Sequence, residues 1–210
     1  MNMEHLGQDR REILRHYRKD ARVYDTNRRF FLFGRRAVLD EVGTSLRGSS
    51  EPRTILEVGC GTGMNLVYLS QLFPQASLRG VDLSTDMLDI ARRRTRDNPR
   101  ITLEHRPFDR DFPNESYDLI HFSYVLSTIP DLLSCLELAQ ARMTADGHLS
   151  LVDFHSSRHQ LFKRWIGHSI PIRTQFPEAE LYNRFDPVAM RVKRAYLGVW
   201  KYFWFVGQRR

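Results

Sequence analysis

Residues 56–63 read Leu-Glu-Val-Gly-Cys-Gly-Thr-Gly, and the next apolar run, Leu78-Arg79-Gly80-Val81, closes on Asp82. The first segment is the end of a short buried strand emptying into a glycine turn. Glycine tolerates φ > 0 there and lets a ligand approach the main chain with no Cβ in the way. The second segment sets a carboxylate at the tip of a neighbouring strand, where it can accept both hydroxyls of a ribose. A glycine-rich strand-to-helix turn with an acid roughly 20 residues on is the signature of an adenosine-containing cofactor in a doubly wound sheet.

The remaining pattern agrees with that sheet. Apolar runs predict strands over 54–58, 77–82, 101–104, 117–122 and 148–154. Helical spacing fills the gaps, with Leu66, Leu69 and Leu72 on one face of the first helix and Met87, Leu88 and Ala91 on the next. Ser84 and Asp131 are N-cap residues placed ahead of such helices. The run Tyr196–Val206 is aromatic and β-prone, and predicts an antiparallel pair at the edge of the sheet. Upstream, Ile13, Leu14, Tyr17, Ala21 and Tyr24 recur at helical spacing, followed by Ala37, Val38 and Val42. A linker over 47–52 separates this helical part, residues 1–50, from the α/β part, residues 51–210. The alternation calls for a mostly parallel sheet covered on both faces.

At 210 residues the chain is long enough for one α/β domain with a sizeable core. No window reaches the ~18 apolar residues of a membrane span, and the first eleven residues lack the apolar stretch of a signal peptide. Cys60 and Cys135 are the two cysteines, one in the glycine turn and one in a predicted helix, so neither a disulfide framework nor a thiolate metal site is expected. These features predict a cytoplasmic protein. The net charge of +7 is uneven: residues 1–50 carry +4, residues 51–155 carry −5 and residues 156–210 carry +8. An acidic core with basic flanks fits an anionic partner, nucleic acid or membrane, or a merely solvated surface.

Glu57 decides between cofactors, because an acid there repels a pyrophosphate and suits a cationic, zwitterionic ligand. The run Glu57-Val58-Gly59-Cys60-Gly61-Thr62-Gly63 resembles the first motif of the class I S-adenosylmethionine-dependent methyltransferases, with Asp82 as their ribose-binding acid. The resemblance implies an α/β, Rossmann-like, doubly wound seven-stranded sheet, mostly parallel with an antiparallel C-terminal edge pair, and S-adenosylmethionine as cofactor. It gives Glu57 the task of organising the loop and facing the cationic end of the cofactor. Gly59, Gly61 and Gly63 admit the homocysteine portion, while Leu83 and Met87 line the adenine. The family's usual acid after strand three is replaced by His105-Arg106-Pro107, which leaves Phe108 or Asp109 as substitutes.

The loop Ser123-Tyr124-Val125-Leu126-Ser127-Thr128-Ile129-Pro130-Asp131, together with Arg22, Tyr24-Asp25, Arg28-Arg29, Arg35 and Val152-Asp153-Phe154, is similar to a narrower group, the bacterial betaine-lipid N-methyltransferases. This likeness covers about residues 17–154. It implies an amine-bearing lipid head group as acceptor, with Ser123, Tyr17 and Arg35 at the cofactor and Tyr124, Tyr24 and His155 at the chemistry. Residues 1–50 then form a lid, and residues 155–185 form a second lid. In the second lid, Arg158, Lys163 and Arg164 alternate with Phe162 and Trp165 in a basic amphipathic pattern suited to peripheral contact with the inner face of an anionic membrane. The alternative acceptor is a quinone ring or another small molecule, whose C-methylation requires a base such as Tyr124 or His155. A basic RNA-binding module is the third reading, but the chain has neither an RNP-type aromatic motif nor an N-P-P-Y or D-P-P-Y tetrapeptide, so no nucleic-acid partner is expected. His155 and His159 stand four apart with no third ligand nearby, so no metal is expected either.

Overall fold

The computed structural model describes residues 32–48, 51–157 and 176–210. Tyr17, Tyr24 and the first part of the expected lid lie outside these residues, as do Arg158, His159, Phe162, Lys163, Arg164 and Trp165. The described elements are α1 (Arg35–Ser45), β1 (Thr54–Val58), α2 (Met64–Leu72), β2 (Ser77–Asp82), α3 (Thr85–Thr95), β3 (Ile101–His105), β4 (Tyr117–Ser123), α4 (Leu132–Ala141), β5 (Met143–Ser156), α5 (Ala179–Arg184), β6 (Phe185–Ala195) and β7 (Trp200–Arg209).

The seven strands form one sheet in the order β3-β2-β1-β4-β5-β7-β6. Strands β1 to β5 run parallel, whereas β7 is antiparallel to both β5 and β6. The strand order reverses between β1 and β4, which opens a crevice at their C-terminal ends where ligands of such sheets bind. One hydrophobic layer packs Val38, Leu39 and Val42 of α1 with Leu66 and Leu69 of α2 and Leu88 of α3. The other packs Leu132, Leu136 and Ala139 of α4 against Leu149, Leu151, Phe203 and Phe205. Caps fix where two of the helices start: Ser84 Oγ accepts from Met87 N at 3.3 Å, and Asp131 Oδ1 accepts from Ser134 N at 3.1 Å.

Three expectations change in detail. The antiparallel pair is not folded within Tyr196–Val206; β7 pairs with β6 at Phe185–Ala195 instead. The sequence hid β6 because it is an edge strand exposed along most of its length, with no apolar alternation and with Pro187 at a register shift, a place where proline is tolerated in a sheet. Strand β5 begins at Met143 rather than His148, and Asp146-Gly147 sits where its register against β4 slips between Tyr117 and Leu119. Finally, α1, the described part of the expected lid, packs into the core. Val38, Leu39, Val42 and Leu46 are fully buried in the core, and Gly34 ahead of α1 takes φ 82° with its Cα against the ring of Tyr202.

Candidate functional site

The glycine turn joins β1 to α2 and runs through three left-handed residues, with φ of 69° at Gly59, 54° at Gly61 and 77° at Gly63. Gly59 N and Cys60 N both donate to Val81 O, at 2.8 and 3.0 Å, so the turn lies along the end of β2. A Cβ on Gly59 would sit 2.6 Å from Val125 Cγ2 in the loop after β4. Glycine is required there by both backbone angle and space. Asp82, the last residue of β2, completes the cradle. Its Oδ2 accepts from Gly61 N at 2.8 Å and its Oδ1 from Ser84 N at 2.8 Å.

Beside the turn is a shallow cleft open to solvent, lined among others by Leu32, Arg35, Glu57, Gly61, Asn65 and Ser123. Glu57 is the centre of its electrostatics. The residue is only 1% exposed. Its Oε1 accepts from Asn65 Nδ2 at 2.8 Å, while its Oε2 has no hydrogen-bond partner among the described residues. Burial pushes the carboxyl up to about 8, against the opposing pull of Asn65 and Arg35 and with further repulsion from Asp82. Arg35, in the first turn of α1, makes no ion pair with a described residue. A buried carboxyl oxygen and an arginine, neither paired with a described residue, thus line one cleft. Once an arriving ammonium favours ionisation of the carboxyl, the carboxyl and the arginine match the ammonium and carboxylate of an amino-acid moiety, and the Asp82 carboxylate matches a ribose diol. The residues present therefore fit the cofactor expected from the glycine motif.

Polar groups continue beneath the cavity. Glu57 pairs in register with Gly80 on β2 and with His121 on β4, and His121 pairs with Ser150 on β5. His121 is fully buried, its Nδ1 is 3.0 Å from Ser150 Oγ, and burial lowers it to about 3, so the ring is neutral. Ser123 Oγ is buried with no partner among the described residues, at the rim of the same cavity.

Other expected residues fall in different places. Met87 is buried at the start of α3 and Leu83 is half-buried, its carbonyl 3.0 Å from His105 Nε2. Phe108 packs its ring on Phe112 and Phe122, at 4.8 and 6.1 Å between centroids. Asp109 is exposed, and its Oδ1 accepts from Asp111 N at 3.2 Å within its own turn. The Tyr124 hydroxyl is buried and donates to Phe33 O at 2.6 Å; burial and the nearby Asp153 raise it well above its usual value. In this position Tyr124 anchors the residue two places before Arg35 and does not present its oxygen to the cavity. His155, at the end of β5, is held between Glu178 Oε1 on its Nε2 and Ser156 Oγ at 2.8 Å on its Nδ1, with its ring 5.9 Å from that of Phe203. Among the described residues no group of three His, Cys, Asp or Glu side chains is placed to hold a metal ion.

Sequence reasoning overlooked Asn65, and it took Asp153 only as part of the Val152-Asp153-Phe154 motif without giving it a role. Asn65 lies eight residues past Glu57, in the first turn of α2, where the helix brings it back over the strand end. Asp153 is fully buried, and burial raises its carboxyl to about 6. Its Oδ2 accepts from Ser127 N at 3.0 Å, which ties the loop after β4 to β5. A lone aspartate inside the apolar run Leu149–Phe154 was the available signal.

Comparison with known proteins agrees with this geometry. The family model described as "Methyltransferase domain" matches residues 24–192. A malonyl-[acyl-carrier protein] O-methyltransferase of Halalkalibacterium halodurans is 34% identical over 119 residues, which is 53% of this chain and 43% of that protein. A demethylmenaquinone methyltransferase of Tropheryma whipplei is 25% identical over 166 residues, covering 76% of this chain and 69% of its own length. The first relatives are longer proteins, and the chain spans about half their length. Among solved structures, the 1,6-didemethyltoxoflavin-N1-methyltransferase of Burkholderia thailandensis superposes with a TM-score of 0.72 at 17% identity, covering 98% of this chain and 89% of that one. That likeness speaks to the fold. The family match extends over most of the sheet and over the cradle at its switch point, and on that ground the chain belongs to the methyltransferase domain family.

Proposed function

We propose that the chain transfers a methyl group from S-adenosylmethionine to a small-molecule acceptor carrying an aromatic or quinone-type ring. One observation carries the cofactor assignment: Glu57 Oε2 and Arg35, both unpaired among the described residues, meet in the cavity beside the glycine turn. Glu57 holds the ammonium end, Arg35 the carboxylate end and Asp82 the ribose hydroxyls, while Leu83 and Met87 border the adenine. Bound there, the cofactor supplies an activated methyl and a neutral thioether leaving group. The chain's own task is to orient the acceptor in line with that methyl and to exclude water.

The acceptor reading rests on the mouth and on the relatives. Phe33 lies 5.5 Å from Tyr196, 6.2 Å from Trp200 and 6.0 Å from Tyr202, an aromatic cluster whose Trp200 and Tyr202 are core and whose half-buried Phe33 and exposed Tyr196 adjoin Leu32 of the cleft. The two accessible rings suit a flat acceptor. Relatives are named for malonyl-acyl-carrier protein and demethylmenaquinone as acceptors, not for lipid head-group amines, so the betaine-lipid reading gives way to the small-molecule one. If the acceptor is methylated on carbon, a base must take a proton from it. His155, oriented by Glu178, is the candidate; Tyr124 is a positioning residue, since its hydroxyl is engaged with Phe33 O. The basic flanks add peripheral contact with an anionic membrane, where hydrophobic ring acceptors reside. Radiolabelled methyl transfer to a demethylated naphthoquinol and to a homoserine-headed lipid tests the acceptor. Incorporation into the quinol is expected. Incorporation into the lipid alone would restore the amine reading.

A further inference from the structure

The hairpin between β6 and β7 turns through Tyr196, Leu197 and Gly198, with φ of 45°, 56° and 98°. Two consecutive non-glycine residues in the left-handed region are rare. The turn they make holds Leu197 wholly in solvent, at 109% of its reference exposure, with Tyr196 at 46% beside it. Val192, one turn of the pleat back along β6, is also exposed. An apolar tip of this kind gains nothing from water.

Its surroundings are cationic. Residues 187–210 hold six Lys and Arg and no Asp or Glu. Arg191, Lys193 and Arg194 are exposed on β6, and Arg194 lies directly across from Lys201 on β7. Like charges in opposed positions destabilise a strand pair. None of these four side chains forms an ion pair with a described residue; the one acid on β6, Asp186, is at the far end and pairs with Arg210 at 2.7 Å.

The tip is also at the right edge of the sheet. Because β7 runs antiparallel to β5, its first residues lie beside the C-terminal end of β5, and Ser157 Oγ donates to Val199 O at 2.7 Å. Tyr196 packs on Phe33, whose neighbour Leu32 lines the cavity.

From this juxtaposition we infer that the β6–β7 hairpin tip is a membrane-docking element, in which Leu197 and Tyr196 enter the interface of an anionic bilayer while Arg191, Lys193, Arg194 and Lys201 meet its head groups. It rests on the proposed membrane contact and names the element that makes it. An apolar tip ringed by unneutralised cations matches a surface with anionic head groups over an apolar interior. An acidic protein would satisfy the charges but not a lone leucine standing free at the apex. Docking here would turn the aromatic mouth toward the bilayer.

The test is flotation of the whole protein with vesicles of phosphatidylcholine alone and of phosphatidylcholine with phosphatidylglycerol, at low and high salt. Binding to the anionic vesicles and not to the neutral ones is expected, weakened by salt. Each basic residue near such a surface multiplies partitioning by about fivefold, so the triple variant R191Q/K193Q/R194Q should lose on the order of a hundredfold. Leu197→Asn, which keeps a left-handed backbone accessible, should weaken the salt-resistant part of binding. Both variants alter exposed residues, so unchanged calorimetric binding of S-adenosylhomocysteine verifies that the fold and cofactor site persist. Wild-type binding that survives the triple substitution overturns the assignment to this tip while leaving membrane contact to another element. Absence of wild-type binding to anionic vesicles removes both, and leaves the methyltransferase reading untouched.

Discussion

The proposed placement of the cofactor ammonium at Glu57 makes binding dependent on pH in a calculable way. Burial, opposed by Asn65 and Arg35 and assisted by Asp82, raises its carboxyl from 4.5 to about 8, so the unliganded protein holds a proton there at pH 7. An ammonium arriving beside the unpaired Oε2 favours the carboxylate, and the proton must leave. Affinity should then rise with pH by up to tenfold per unit below the unliganded pKa. Between pH 6 and 7.5 the gain is roughly thirtyfold, or about 2 kcal/mol. The window stops there because the ligand's own α-amino group begins to titrate near pH ~8. Calorimetry of S-adenosylhomocysteine binding in buffers of differing ionisation enthalpy should register release of nearly one proton at pH 7. Glu57→Gln should bind with little pH dependence and release none. The sign on stability is opposite: with the folded pKa raised, the native state binds more protons between pH 4.5 and 8, so the unliganded fold loses stability as pH rises across that range. A wild-type affinity that is flat from pH 6 to 7.5, with no proton released, would refute the placement of the ammonium at Glu57.

Three further outcomes are expected. Asp82→Ala removes the acceptor for the ribose diol and also frees Gly61 N and Ser84 N; S-adenosylhomocysteine affinity should fall by roughly 30- to 1000-fold, and unchanged titration curves would sink the assignment. Gly59→Ala forces a Cβ against Val125 at a φ of 69°; denaturant unfolding should show a loss of about 1–3 kcal/mol together with weakened cofactor binding. Asp153, raised by burial from 3.8 to about 6, makes the fold more stable as pH falls from 6 to 4, by up to ~3 kcal/mol. Asp153→Asn should flatten that part of the stability profile, and a profile identical to the wild type would show that the carboxyl does not titrate there.

The sequence was most readable where the backbone itself must do something unusual. Gly59, Gly61 and Gly63 are glycines because the turn is left-handed three times, and Glu57 and Asp82 stand at strand ends that any parallel sheet brings side by side. Ser84 and Asp131 announced their helices because a cap is a local device. Features that depend on distant parts of the chain were illegible. The Tyr124 hydroxyl looked like a catalytic group, yet its partner is the carbonyl of Phe33, ninety-one positions away. His155 gave no hint of Glu178, and β6 gave none of itself, since a strand exposed on both faces carries no period. Residues 35–45 read correctly as a helix, but only packing revealed that its apolar face is part of the core.

The contact between Gly34 and Tyr202 joins nearly the two ends of the described chain. Tyr202 stands on β7, which follows the other six strands of the sheet in chain order, and Gly34 sets the start of the helix that carries Arg35. During synthesis the glycine turn and Asp82 can assemble early, from neighbouring strands. The turn ahead of Arg35 has no Tyr202 ring to pack on until β7 lies between β5 and β6. A nascent chain therefore assembles the proposed ribose and ammonium sites before the carboxylate site at Arg35, and such late, non-local closure is the kind of step that slows folding. The proposed cofactor site is complete only when β7 is in place.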